Sequence, residues 1–182
     1  FMEADLASDE IVLVHGGASG VGTAAIQLTK AAGGRIIVTA GSPEKAARCR
    51  EIGADLAINY REEDFVEAVR AFTGGAGVDV ILDMVGASYL ERNLSLLKWR
   101  GRIVFIATMG GVTAELNLGT LMGRRLRLIG SVLRARSAPE KAEITRRFVA
   151  RFGPRLEDGS VQPVLDSVYP IAEAAEAQRR MA

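Results

Sequence analysis

The sequence predicts a doubly wound parallel α/β fold, built as one domain over residues 1–182. Two observations carry that prediction. Apolar runs of strand length alternate with helix-period segments along the whole chain, and a glycine-rich turn directly follows the first run. Strands alternating with helices of 10–15 residues indicate right-handed βαβ units. The runs are continuous rather than alternating, as in strands covered on both faces.

Ile11-Val12-Leu13-Val14 is the first strand, followed by the glycine turn and a helix from about Gly20 to Ala32. Arg35 to Thr39 is the second, and the next helix runs from Pro43, a residue suited to a first helical position, to Ile52. Leu56-Ala57-Ile58 is a short third strand, with a helix over Glu63 to Phe72. Val78 to Val85 is the fourth, with a helix around Tyr89 to Leu97; Arg102 to Ile106 is the fifth. Leu126 to Val132 is the sixth, and a long helix spans about Pro139 to Phe152, capped by Gly153. Six strands in this rhythm predict the order 3-2-1-4-5-6, the Rossmann arrangement.

Composition narrows the function classes. With 23 Lys+Arg against 22 Asp+Glu the net charge is +1, and 48% of the 182 residues are apolar, which excludes a disordered chain. The signs are interleaved, so no basic footprint for nucleic acid is present. One Cys excludes a disulfide framework and, with one His, leaves almost no soft metal ligands. No apolar run approaches the roughly 18–20 residues of a membrane span, and no basic-then-apolar signal opens the chain. The expectation is a cytoplasmic domain without membrane or nucleic-acid partners. Both ends read as cut: Phe1 to Leu6 has the pattern of the last turns of a helix, and Ile171 to Ala182 that of an uncapped amphipathic helix. That predicts a segment of a longer protein.

The chemistry begins at His15-Gly16-Gly17-Ala18-Ser19-Gly20-Val21-Gly22. The spacing Gly17-x-x-Gly20-x-Gly22 puts small residues where a diphosphate must approach the backbone and the positive end of a helix. Gly22 would allow close packing of helix on strand. Relative to G-x-G-x-x-G, Ser19 replaces the middle glycine and Gly20 is extra. A Walker loop would need Lys after Gly22, where Thr23 stands, and without that counter-charge for the β- and γ-phosphates the sequence argues against an NTPase.

A dinucleotide reader would end its second strand with an acid for the ribose hydroxyls. Ala40 stands there, with Gly41 and Ser42 opening space and Lys45 supplying a cation. That set favours the 2′-phosphate of NADPH, although Glu44 opposes it in charge and Lys45 also reads as a solvated helix residue.

These segments, with Ile58-Asn59-Tyr60-Arg61-Glu62-Glu63-Asp64 and Asp83-Met84-Val85-Gly86, resemble the medium-chain dehydrogenase/reductase superfamily, in its zinc-free quinone oxidoreductase branch. The resemblance covers nearly the whole chain. It implies an NADPH-binding domain of an oxidoreductase that transfers hydride to a quinone or other electron-poor enone. It puts Gly20 and Val21 at the diphosphate, Gly41, Ser42, Lys45 and Tyr60 around the 2′-phosphate, and Val85 and Gly86 near the cofactor ribose. The Thr108-Met109-Gly110-Gly111 turn matches the nicotinamide-side loop, and Arg134 a segment near the cofactor mouth. Tyr60 reads equally as a half-buried aromatic at a strand end, and Arg134 with Arg136 as a solvated basic edge. The resemblance also implies a homodimer through the sixth strand, and a substrate domain that these residues do not contain.

No catalytic residue is assigned and no metal is expected. Carboxylate pairs, a Ser-His-Asp set and an activated Cys are not legible; His15 reads as a structural strand-end residue and Cys49 as a buried thiol. An enoyl-thioester reductase of the same superfamily reads almost identically, and a non-enzymatic nucleotide-sensing or dimerisation module is the reading from another class. A short-chain dehydrogenase would need Tyr-x-x-x-Lys, but Tyr60, Tyr89 and Tyr169 are followed four residues on by Asp64, Asn93 and Glu173.

Overall fold

A computed structural model describes residues 2–181. Its strands are β1 (Ile11–Val14), β2 (Arg35–Ala40), β3 (Leu56–Asn59), β4 (Val78–Asp83), β5 (Leu97–Phe105) and β6 (Arg127–Gly130), in one parallel sheet of order β3-β2-β1-β4-β5-β6. The predicted topology is the observed one. Its helices are α1 (Gly20–Ala31), α2 (Pro43–Ile52), α3 (Phe65–Thr73), α4 (Leu90–Leu96), α5 (Leu118–Gly123), α6 (Ala138–Glu157) and α7 (Ala174–Met181).

Alternate strand residues bury in two separate cores, which is why the runs are continuous in sequence. Val12, Val14, Ile36, Val38, Val80 and Val104 share one core with Ile26 of α1 and Cys49 of α2. Leu13, Ile37, Ile58, Ile81 and Ile103 share the other with Phe65 and Val69 of α3 and Leu94 of α4. Burying each such side chain contributes about 1.5–3 kcal/mol, an upper estimate against a compact unfolded chain. A cavity of about 410 Å³ lies between the first of these sheet faces and Phe148 and Phe152 of α6.

Several boundaries differ from expectation, each for a local reason. The fourth strand stops at Asp83, not Val85, because its carboxylate turns back to accept the amides of Val85 and Gly86. The fifth starts at Leu97 rather than Arg102, with a register shift between Val78 and Val80. The sixth is only Arg127–Gly130, the chain turning away after Ser131 donates its N–H to Phe105 O. The long helix runs through Gly153 and Pro154 to Glu157, so Gly153 is no cap; its stop is Gly159, whose φ of +75° suits a residue without Cβ. Ser137 opens that helix with a reciprocal capping box to Glu140. The short helix α5 was not legible in the sequence pattern.

At the start, residues 2–5 form a turn rather than a helix. The buried Arg102 donates to Ala4 O and Asp5 O and pairs with Glu10 at 2.6 Å, pinning that turn under the sheet. At the end, a 3-10 turn (Ile171–Glu173) precedes α7. Phe1 and Ala182, within the expected terminal helices, lie outside the described residues.

Candidate functional site

In an open parallel sheet, ligands bind outside the carboxyl ends of the strands. Here those ends are joined by three turns, and twelve residues singled out in the sequence lie on or beside them: Ser19, Gly20, Val21, Gly22, Gly41, Ser42, Lys45, Tyr60, Val85, Gly86, Thr108 and Met109.

The first turn follows β1. Gly17 N–H donates to Thr39 O at 2.8 Å and Ser19 N–H to Gly16 O at 2.9 Å, folding the glycines back under α1. Ser19 is the helix cap: its Oγ accepts the Gly22 N–H at 3.1 Å. The first-turn amides of Gly20 and Val21 have no partner within the helix by its geometry. Two kinds of glycine stand here. A Cβ on Gly17 would lie 2.5 Å from Val38 Cβ, and one on Gly22 would strike the carbonyls of Gly16 and Gly17. A Cβ on Gly20 would meet nothing within 4 Å, so that residue faces open space, and Val21 beside it is half exposed. An unobstructed helix N-terminus with inward glycines behind it fits a diphosphate.

The second turn follows β2. Ala40 is buried, Ser42 caps α2 by accepting the Lys45 N–H at 3.3 Å, and Pro43 sits in its first turn. Tyr60, after β3, donates its N–H to Ala40 O at 3.1 Å, and its hydroxyl would stand 2.9 Å from a Cβ on Gly41. Gly41, Ser42, Lys45 and Tyr60 are therefore gathered at one rim. Glu44 is there too. The Ser42 hydroxyl and the helix amide at Glu44 hold its carboxyl below the usual range, so an anion stands beside the place expected to favour one.

The third turn follows β4 and is sewn to the turn after β5. Met109 N–H donates to Met84 O at 3.1 Å, Gly110 N–H to Val85 O at 2.7 Å and Ala87 N–H to Gly111 O at 3.0 Å. Gly86, at φ +84°, lies where a Cβ would stand 2.8 Å from Gly111 O and 3.1 Å from Thr108 Cα. Val85, Gly86, Thr108 and Met109 thus form one surface, and Met109 is 82% exposed at its tip. Arg134 is exposed on a separate turn after β6, its carbonyl accepting from Lys141 Nζ at 3.2 Å.

Beneath these turns runs a polar chain that the sequence reading did not find. His15 is 1% exposed, with Nε2 2.8 Å from Asn93 Oδ1 and Nδ1 3.1 Å from Thr39 Oγ1. Asn93 Nδ2 donates to Asp83 Oδ2 at 3.2 Å, and Asp83 Oδ1 accepts Val85 N–H at 2.6 Å and Gly86 N–H at 3.2 Å. The ring stands edge-on to Phe65 and Tyr89, its centroid 5.1 and 4.9 Å from theirs. Burial pushes the imidazole below its ordinary value. Among the described residues no buried side-chain nitrogen or oxygen lacks a partner. The signal was faint: Asp83 ends a largely apolar strand, and Asn93 sits in a mixed polar and apolar helix with no pattern that marks it.

Comparison with known proteins places this geometry. Residues 20–150 match the family model described as zinc-binding dehydrogenase. The chain is 33% identical to a human quinone oxidoreductase over 172 residues, 94% of this chain and 50% of that one. The crystal structure of Escherichia coli quinone oxidoreductase complexed with NADPH superposes with a TM-score of 0.75 at 32% identity, covering 97% of this chain and 55% of that one. A 2-haloacrylate reductase structure superposes at 0.82 with 28% identity, again covering 97% and 55%. The chain spans about half the length of the curated relatives it matches.

The family description names zinc, but the donors here do not fit it. Among the described residues no group of three or more His, Cys, Asp or Glu could hold a metal ion. The one His is committed to Asn93 and Thr39, and the one Cys, Cys49, is buried, its thiol pushed up by that burial. Nor is any helix among the described residues long and apolar enough to cross a membrane.

Proposed function

The chain belongs to the zinc-binding dehydrogenase family, within the medium-chain dehydrogenase/reductase superfamily, and we propose that it is the NADPH-binding part of an oxidoreductase that reduces a quinone or other electron-poor enone. One observation carries the reading: the open space over Gly20 at the α1 N-terminus, in a turn whose other glycines are packed against Met84, Val38 or backbone.

When bound, NADPH supplies a hydride from its nicotinamide C4 to the acceptor. The amides of Gly20 and Val21 and the α1 dipole bind the diphosphate. Ser42, Lys45 and Tyr60 surround the adenosine ribose and its 2′-phosphate, where no acidic strand end repels it. Val85, Gly86, Thr108 and Met109 orient the ribose and nicotinamide end. No proton donor is assigned among these residues. The acceptor class is supported by what this chain resembles, quinone oxidoreductases and a 2-haloacrylate reductase. The reading includes a cytoplasmic location and a two-fold dimer through β6, the sheet edge beyond β5.

Amide NMR shifts on adding NADPH to the 182-residue chain test the site. Shifts concentrated at Gly20, Val21, Gly41, Tyr60 and Val85 support it. A spectrum unchanged at saturating NADPH, or shifts confined to the α6 face, contradicts it.

A further inference from the structure

With the ring neutral, the buried chain from Asp83 to Thr39 has one consistent proton arrangement. A carboxylate accepts, so Asn93 must turn its NH₂ toward Asp83 and its Oδ1 toward the ring. That oxygen can only accept, so His15 carries its proton on Nε2. Nδ1 is then an acceptor, and the Thr39 hydroxyl donates to it. The Thr39 Oγ1 in turn takes the Gly16 N–H at 3.4 Å, while Thr39 O takes that of Gly17. At the other end Asp83 holds the amides of Val85 and Gly86. The links join the turn after β1 to β2, α4 and β4.

We propose that His15 is a positioning residue that locks the glycine turn to the β4 turn, so that protonation of its ring and binding of the dinucleotide oppose one another. The proposal rests on the NADPH reading above and extends it to a residue that touches no ligand. A proton on Nδ1 would take away the acceptor of the Thr39 hydroxyl. It would also put a cation between the Phe65 and Tyr89 rings. The charged groups facing that position are few. Asp83, reached through Asn93, favours the cation, whereas Arg92 of α4, stacked 4.0 Å from the Phe65 ring and paired with Asp64 at 2.8 Å, disfavours it. The first link to loosen is that of the Thr39 hydroxyl to Gly16, the backbone that shapes the glycine turn.

The single histidine makes the test direct. Imidazole ¹⁵N shifts of the full chain are followed from pH 8 to 4.5, with and without saturating NADP⁺, which shares the adenosine and diphosphate of NADPH and survives acid. The expected result is a protonated Nε2 and a bare Nδ1 in the neutral form. The titration midpoint should fall by about one pH unit with NADP⁺, matched by an affinity that declines below the free-chain midpoint and is roughly tenfold weaker below the NADP⁺-bound one, as linkage requires. Thr39→Val, close in volume, should weaken NADPH binding about tenfold and abolish the midpoint shift, and Thr39→Ser should restore both. An Nδ1-protonated neutral ring, a midpoint indifferent to NADP⁺, or a Thr39→Val chain that binds NADPH like the original would overturn the proposal. If amides at Gly20 and Val21 respond to NADP⁺ while the midpoint stays put, the positioning claim falls and the cofactor reading stands. If they do not respond at all, both fall.

Discussion

The Tyr60 hydroxyl closes directly over Gly41: a Cβ at position 41 would stand 2.9 Å from the Tyr60 Oη and 3.3 Å from Cζ. A bare α-carbon at the end of β2 therefore lets an aromatic from the end of β3 lie against the turn that leads into α2. Tyr60 is 42% exposed, so its ring can swing outward without disturbing either core. Gly41→Ala should leave thermal stability nearly unchanged. By displacing Tyr60 from the 2′-phosphate rim it should weaken NADPH by about 1 kcal/mol, roughly fivefold in Kd, with less effect on NADH. Equal losses for the two cofactors would remove Tyr60 from phosphate selection.

The two kinds of glycine in the first turn separate binding from folding. Gly20→Ala places a methyl in open space at the first helical position, where it should stabilise the fold by up to about 1 kcal/mol through the unfolded chain. The same methyl intrudes on the diphosphate, so NADPH affinity should drop. Gly22→Ala should instead destabilise by about 1–3 kcal/mol, because its methyl meets the carbonyls of Gly16 and Gly17. Melting curves and nicotinamide fluorescence on both variants check the split. A Gly20→Ala chain with unaltered affinity would move the diphosphate elsewhere.

Charge at the start of α2 sets cofactor choice. Removing the Lys45 ammonium with Lys45→Ala should cost about 1–2 kcal/mol for NADPH, roughly 5- to 30-fold in Kd, and little for NADH. Glu44→Gln should act in the opposite direction, since its carboxylate sits on the same rim, held ionised by Ser42. Ala40→Asp should favour NADH. The ratio of the two dissociation constants is the readout, and a ratio that none of the three alters would place the 2′-phosphate site elsewhere.

Stability should fall as the solution is acidified through the histidine range. Burial depresses the His15 value in the fold, so the unfolded chain takes up its proton first. The stability this contributes is complete above about 6.5, the ordinary value, and is lost as pH falls through the folded value. Carboxylates act separately and lower: burial would raise Glu10, but bonding to Arg102 and the Ala7 amide outweighs it, so its contribution disappears below about 4.5. Urea midpoints at pH 7.5, 6.0 and 5.0 should decline for the native chain and much less for His15→Gln. Parallel declines would assign the loss to other groups.

Association should run through the sheet edge. The β6 strand pairs on one side only, with β5, and presents Leu128 and Ile129 half buried. Unpaired edges invite another strand, and a two-fold pairing would satisfy both copies. Light scattering at tens of micromolar should report a dimer; a monomer contradicts the edge contact.

How much of this was legible follows from how locally each feature is encoded. The β/α rhythm and the topology were readable because two cores demand continuous apolar strands, and a helix needs only its own residues to show its period. The glycine turn was readable because close approach excludes side chains at fixed spacing. Boundaries set by a single side chain were not: Asp83 ends β4 by turning its carboxylate back, and no periodicity announces that. Gly153 reads as a cap, yet Phe152 and Gly153 are buried within a helix that continues to Glu157. The link joins His15 at the end of β1 to Thr39 on β2 at one side and, through Asn93, to Asp83 on β4 at the other, residues 24 to 78 positions from His15, so only the folded backbone brings it together.

The central claim is that the carboxyl edge of this sheet binds NADPH in preference to NADH. Titrating the 182-residue chain with each cofactor, following nicotinamide fluorescence at pH 7.5 and constant ionic strength, tests it most directly. Both cofactors should bind saturably and one-to-one, NADPH more tightly, with NADPH displaced by 2′-phosphorylated adenosine nucleotides more readily than by unphosphorylated ones. Binding of neither cofactor, or equal or tighter binding of NADH, would contradict it.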